Sequence, residues 1–205
     1  MTTDSLYAGI SISSGRRPFT YSALDRDLNL LALARCNLSE ALALLEQAQI
    51  VLVGINVPSV ARKSSVNQTK TLTIYTNFLK AMAKTGYKPF SQDTSKRWFE
   101  TNAYACYHSL IQKRPLSRRT LEGRIQRAFI LYEHGLRISD PMDFFEEITR
   151  HRMMMGVWPN ELIHSASELD AFVAAYMAWL IVNRPQQVKT EGKFLLPAEE
   201  LKEEL

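Results

Sequence analysis

LYAGISISSGRRPFTYSALDRDLNLLALA, residues 6–34, is the stretch whose reading decides the architecture. It holds three runs of apolar, aromatic and β-branched residues: Leu6–Ile12, Phe19–Leu24 and Leu28–Ala34. Ser13-Ser14-Gly15 with Arg16, Arg17 and Pro18 separates the first two, and Asp25-Arg26-Asp27 separates the second two. Such residues favour a pleated, half-buried surface, and spacers this short leave no room for a crossover helix. The three runs therefore predict an antiparallel meander.

Working outward, Ser39 is placed to cap a helix running to about Gln49, with Leu42 and Leu45 on one face. IVLVGI, Ile50–Ile55, is uninterrupted, as expected of a central strand buried on both faces, and it ends at Asn56-Val57-Pro58-Ser59. Lys70–Lys84 is expected to be helical, although Thr71, Thr73 and Thr76 lower its propensity. Trp98–Thr101 reads as a short strand entering a helix over Ala103–Gln112. Three further helices are expected: Ser117–His134 closed by Gly135, one opening at Asp140-Pro141-Met142-Asp143, and one whose Ser165 and Glu168 form a capping box. Lys193–Leu196 adds an edge strand, and residues 198–205 form a peripheral acidic tail. Three antiparallel strands, a helix and a buried strand make the opening order of a ribonuclease-H-like fold. The expectation is one α/β domain over residues 1–205. Its mixed five-stranded sheet has three antiparallel strands plus parallel ones, flanked by helices, with a helix-rich C-terminal half.

Composition narrows the function classes. Hydrophobic residues at 46% and charged residues at 22% are ordinary for a globular chain able to bury a sizeable core. Cys36 and Cys106 lie far apart, which argues against a disulfide scaffold or structural zinc and for a reducing compartment. No signal-peptide pattern opens the chain, and the apolar stretch Leu169–Val182 is too short for a bilayer span. A cytoplasmic protein without membrane partners is expected. The net charge of +4 divides into −1 over residues 1–60, +11 over 61–127 and −6 over 128–205. A basic middle third suits a polyanion such as nucleic acid, unless the fold interleaves the segments and neutralises them. GxGxxG, P-loop, GxSxG and HExxH patterns are absent, which removes dinucleotide-binding folds, P-loop enzymes, serine hydrolases and zincins.

The segments YAGISISSGRRPFTYSALD, VLVGINVPS, FETNAYACYHSL, RTLEGRIQRAFILYEHGL, SDPMDFFEEITRHR, SELDAFVAAYMAW and EGKFLLP follow one another in an order that resembles the predicted-nuclease family called domain of unknown function 429. The resemblance spans nearly the whole chain. It implies a ribonuclease-H-like fold, with acidic residues near the ends of the first and fourth strands, in the FET segment and on the ELDA helix. Carried onto this chain, Glu100 and Asp170 match as acids, Asn56 stands where many members have one, and Ser11 is a degenerate acidic position. Asn102, Ala103 and Tyr104 depart from the polar His/Pro character expected after the FET segment.

The activity implied is metal-dependent phosphodiester hydrolysis, with Glu100 and Asp170 holding Mg²⁺ or Mn²⁺ and Asn56 assisting. That chemistry needs several carboxylates converging on hard cations. Each carboxylate replaced by Ser or Asn forfeits a charge interaction of up to about 4 kcal/mol near a protein surface. Every candidate also has an ordinary reading. Glu100 would be a solvated acid, Asp170 the partner of Arg124 or Arg127, Asn56 a turn-closing amide and Ser11 a packing residue. Arg124 and Arg127, one turn apart, would grip phosphate oxygens or pair with Glu122, Glu146 or Glu147. Lys113-Arg114 and Arg118-Arg119 extend the basic face or solubilise a loop. Asp143 is a possible replacement ligand, and no histidine has metal-ligand spacing. Met153-Met154-Met155 with Trp158 would line a partner groove or pack in the core. Three readings follow: a nuclease of reduced or uncertain activity, a non-catalytic nucleic-acid-binding relative, or a protein-interaction subunit.

Overall fold

A computed structural model describes residues 6–47, 50–57, 66–92 and 94–198. Pro58, Ser59, the first basic residues of the middle third and the acidic tail beyond Ala198 lie outside them. The main sheet is built from β1 (Leu6–Ile12), β2 (Phe19–Leu24), β3 (Leu30–Cys36), β4 (Ile50–Asn56), β5 (Lys88–Pro89) and β6 (Arg97–Thr101). Its order is β3-β2-β1-β4-β6-β5. The β1/β2 and β2/β3 pairs are antiparallel, whereas β1/β4, β4/β6 and β5/β6 are parallel. An antiparallel meander followed by parallel strands added beside the first is the ribonuclease-H-like arrangement. The sheet has six strands rather than five, because the two-residue β5 extends its parallel edge.

β3 starts two residues later than its apolar run. One Asp25 carboxylate oxygen, Oδ1, accepts the amides of both Asp27 and Asn29, each at 2.9 Å, around Leu28, which sits at φ 63 inside the turn. The helices are α1 (Leu38–Gln47), α2 (Val66–Lys84), α3 (Ala103–Ile111), α4 (Leu121–Glu133), α5 (Asp143–Glu146), α6 (Arg150–Met154) and α7 (Ala166–Asn183). Asn37, not Ser39, closes the start of α1, exchanging bonds with Glu40 in both directions. α4 begins at the Thr120 cap rather than at Ser117, and Asp140-Pro141 forms a turn ahead of the four-residue α5. The Ser165/Glu168 capping box forms as expected. The final strand, β8 (Phe194–Pro197), pairs with β7 (Val188–Glu191) in a separate hairpin, so it is not an edge strand of the main sheet.

α7 fixes the layering. Gly9 and Gly54 are cross-strand partners, and a Cβ on them would sit 2.0 Å from the Ala171 carbonyl oxygen and 2.2 Å from that of Ala174. The two glycines are thus a floor that brings the helix backbone onto the sheet. Every residue of α7 from Leu169 to Ile181 is buried, because α3, α4 and β8 cover the side away from the sheet. By length and composition the segment Asn160–Asn183 is apolar enough to cross a bilayer, contrary to the shorter reading of the sequence, yet 72% of its most apolar window is buried inside the protein. The opposite face of the sheet carries a second core, with Ile10, Phe19, Tyr21 and Val53 against Tyr75, Phe78 and Met82 of α2. A third, small cluster of Ile125, Phe144 and Ile163 joins α4 to the 140–163 segment.

Candidate functional site

Strand register places Thr20, Ser11, Asn56 and Thr101 side by side across β2, β1, β4 and β6. Alternation along each strand turns all four toward the α7 face, where each is buried. Arg35, paired with Thr20, donates to the Ser165 hydroxyl at 3.2 Å and ties the start of α7 to the same level. A row of four neutral polar side chains therefore crosses the sheet beneath the first turns of α7. Two of them have evident tasks. The Asn56 side-chain carbonyl accepts the Ala103 amide at 2.9 Å, and the Thr101 hydroxyl donates to the Leu195 carbonyl at 2.8 Å. Asn102 completes the clasp: its carbonyl accepts the Ala105 amide as the α3 cap, and its NH₂ donates to the Val57 carbonyl. The departure at Asn102-Ala103 thus has a local reason, since both residues join β4 to the start of α3.

Asp170 stands in the first turns of α7 with its side chain 2% exposed, and it is paired with Arg118, which is 54% exposed. Burial pushes the Asp170 carboxyl up to about 6, while the nearby guanidiniums of Arg118 and Arg127 oppose that rise. Arg127 is not the direct partner. Its guanidinium is buried, donates to the carbonyls of Gly123 at 2.8 Å and Leu116 at 2.9 Å, and lies 5.1 Å from the Tyr107 ring. Burial pulls its pKa below the usual arginine range. Next to this group the Cys106 thiol lies 3.1 Å from the Thr101 hydroxyl, and burial pushes it up to about 12, so it stays an inert thiol.

Glu100 does not join them. It is the register partner of Ile55, one residue out of step with the Asn56/Thr101 pair, and so it faces α2. There it accepts the Tyr75 hydroxyl and is met by the Lys193 ammonium at 2.5 Å. Burial and that hydrogen bond push the Tyr75 phenol well above its ordinary value. The expected convergence of Glu100, Asp170 and Asn56 is therefore not built: a strand's two-residue period puts Glu100 on the other side of the sheet.

The donors on the α7 face do not fit a divalent cation. Asn56 spends its carbonyl on an amide, Ser11 and Thr101 are neutral, Asp170 is occupied by a guanidinium, and Glu168 in the first turn of α7 is taken by its capping box. Mg²⁺ or Mn²⁺ wants several hard, anionic oxygens. Among the described residues no group of three or more His, Cys, Asp or Glu side chains is gathered. Asp143 is exposed at the start of α5, in the segment that packs on α4 rather than on the sheet.

The expected phosphate grip of Arg124 and Arg127 is also not formed, because Arg127 turns inward to brace the loop leading into α4. Gly123 allows that loop to close, since a Cβ there would meet the Ser117 carbonyl oxygen at 1.8 Å. The cations left outside on it are Lys113, Arg114, Arg118 and Arg119, all exposed. Arg118, Tyr75, Lys193 and the threonines of the row were missed as site residues. The period-two alternation of FET around the apolar Phe99 was the available signal for Glu100 and Thr101; the others depend on tertiary contacts.

No protein-family model matches the chain, and no curated protein matches it. Among solved structures it is similar to Thermus thermophilus RuvC at 11% identity, covering 85% of this chain and 94% of that one, with a TM-score of 0.48. It is likewise similar to T. thermophilus RuvC in complex with Holliday junction substrate, at 12% identity, 86% and 94% coverage and a TM-score of 0.47. Strand order and register, rather than these likenesses, define the fold.

Proposed function

We propose that this chain is a non-catalytic relative of ribonuclease-H-like nucleases that binds nucleic acid through the loop at residues 113–119. The observation that carries the reading is the state of the α7 face. Its strand-end positions are neutral, and its buried carboxylate, Asp170, is held by an arginine of that same basic loop. Asp170 thereby serves to seat the loop, leaving Lys113, Arg114 and Arg119 to neutralise phosphates from solvent. The resemblance to the domain of unknown function 429 family supports the kinship, and the substituted acids support the loss of cleavage. Backbone contacts of this type select charge and shape rather than base sequence.

The test is fluorescence anisotropy with labelled single-stranded and duplex DNA and RNA, alongside cleavage assays in Mg²⁺ and Mn²⁺. The expected result is binding that weakens steeply between about 50 and 200 mM salt. The triple variant Lys113→Ala, Arg114→Ala, Arg119→Ala should lower the salt slope, and no cleavage should occur. Metal-dependent cleavage abolished by Asp170→Asn would overturn the non-catalytic part, and salt-independent or absent binding would overturn the nucleic-acid part.

A further inference from the structure

A groove of about 610 Å³ lies on the opposite flank of α4 from its buried arginine, between that helix and the 140–158 segment. Its floor and walls are Leu121, Ile125, Phe129, Phe144, Phe145 and Trp158. Phe144 and Trp158 stack with centroids 6.5 Å apart, so the far wall is a built aromatic surface. Phe145 is 46% and Trp158 42% exposed, and the neighbouring Met153, Met154, Met155 and Val157 are all exposed. Other exposed large apolar side chains, such as Leu31, Leu72 and Tyr104, are spread over separate elements, whereas here six fall within residues 145–158.

We infer that this groove docks an amphipathic helix of a partner protein, one with an apolar stripe flanked by Lys and Arg. Length argues for a helix. The groove follows α4 from Leu121 to His134, which at 1.5 Å per residue is about 20 Å, the reach of roughly 13 helical residues. Charge argues for the basic flanks. The groove's own lining includes Glu122 and Glu133 and neither Lys nor Arg, and Asp143 and Glu146 on α5, with Glu147 just after it, stand exposed on the segment of the other wall. Arg152 pairs with Glu147 at 3.3 Å, which leaves Asp143 and Glu146 as the acids of that wall. The three exposed methionines that shortly precede Trp158 in the chain supply polarisable, unbranched side chains that adapt to an apolar stripe. Apolar anchors spaced one helical turn apart would seat between Phe129 and Trp158, the helix-in-groove mode of recognition.

The test uses the full chain and three synthetic helical peptides of about 15 residues sharing one apolar stripe, flanked by Lys/Arg, by Glu, or scrambled. Anisotropy should show the basic peptide binding at least about tenfold tighter than the other two. Phe145→Glu, at an already exposed position, should weaken it by about tenfold or more, and Glu122→Lys with Glu133→Lys should reverse the preference toward the acidic peptide. The Lys113→Ala, Arg114→Ala, Arg119→Ala variant should bind the basic peptide unchanged, which separates this surface from the nucleic-acid loop. Equal affinity for all peptides, no binding up to about 1 mM, or full binding by Phe145→Glu would overturn the inference. So would a concentration-dependent dimer in light scattering that Phe145→Glu disrupts, because a second copy would then be the occupant.

Discussion

Each face of the sheet holds a carboxylate tied to a solvent-exposed cation, and the two are held differently. On the α7 face Asp170 is sealed, and its partner Arg118 reaches in from a solvent-exposed loop. On the α2 face Glu100 keeps 15% of its side chain exposed, takes a hydroxyl from Tyr75 and meets Lys193 from the β7/β8 turn. The faces also differ in construction. Glycines and alanines let α7 lie directly on one, whereas aromatic and aliphatic side chains hold α2 away from the other. An acid on the glycine-floored face has little room for water, so its charge depends on a guanidinium. An acid on the other face has water and a phenol as well. A nuclease centre would need its acids on one face, and here the register divides them.

The difference in construction should give the largest effect. Gly54→Ala would drive its methyl into the Ala174 carbonyl and lift α7 from the sheet, with a loss of about 3 kcal/mol or more. Gly15→Ala, where a Cβ meets nothing closer than 3.6 Å, should stay within about 0.5 kcal/mol in the same urea titration. Near-equal losses would show that the helix does not rest on the glycine floor.

A second measurement addresses the sealed acid through pH. The folded Asp170 carboxyl titrates at about 6, above the 3.8 of the unfolded chain. Between those values the folded state retains a proton that the unfolded state has released. The group therefore makes stability fall as pH rises from about 4 to about 6, by on the order of 2–3 kcal/mol, and adds no slope above that. Asp170→Asn should remove this slope and equal or exceed the parent's stability at pH 7. An unchanged slope would mean that Arg118 holds the carboxylate ionised throughout.

The exposed-side acid should respond less. Tyr75→Phe removes one donor to a carboxylate that retains Lys193 and partial water access, and the expected loss is about 1.5–2 kcal/mol by chemical denaturation. A loss as large as that of Gly54→Ala would make Tyr75–Glu100 the more rigid centre of the two.

The fold was largely legible because its signals are local. LYAGISI, FTYSAL and IVLVGI are strands by composition, and Ser165 with Glu168 marks the start of α7 within four residues. The site was less legible because it depends on register. Glu100 and Thr101 are neighbours in sequence, yet only the pairing of β4 with β6 shows which of them faces α7. Arg118 was hidden for another reason. Helical spacing drew attention to Arg124 and Arg127, whereas the ion pair comes from a loop whose path is set by Gly123 and the inward turn of Arg127. The helix expected to open at Asp140-Pro141-Met142-Asp143 is instead the short α5 and α6, the latter followed by Gly156 at φ 65, and this broken segment forms a groove wall.

The smallest expected effect compares the two cations directly. Arg118 and Lys193 are similarly exposed, so an argument from surface exposure alone assigns both pairs less than about 1 kcal/mol. Lys193→Met should indeed cost no more than that, since Glu100 keeps the Tyr75 hydroxyl and contact with water. Arg118→Met strands a buried carboxylate, and its cost should exceed that of Lys193→Met at pH 7. The two costs should converge below about pH 5, where the sealed Asp170 is protonated with or without its guanidinium. Measuring both variants at pH 5 and pH 7 isolates the effect of burial on the acid from the exposure of its partner. A pH-independent difference between them would mean that Arg118 stabilises the loop through packing rather than charge.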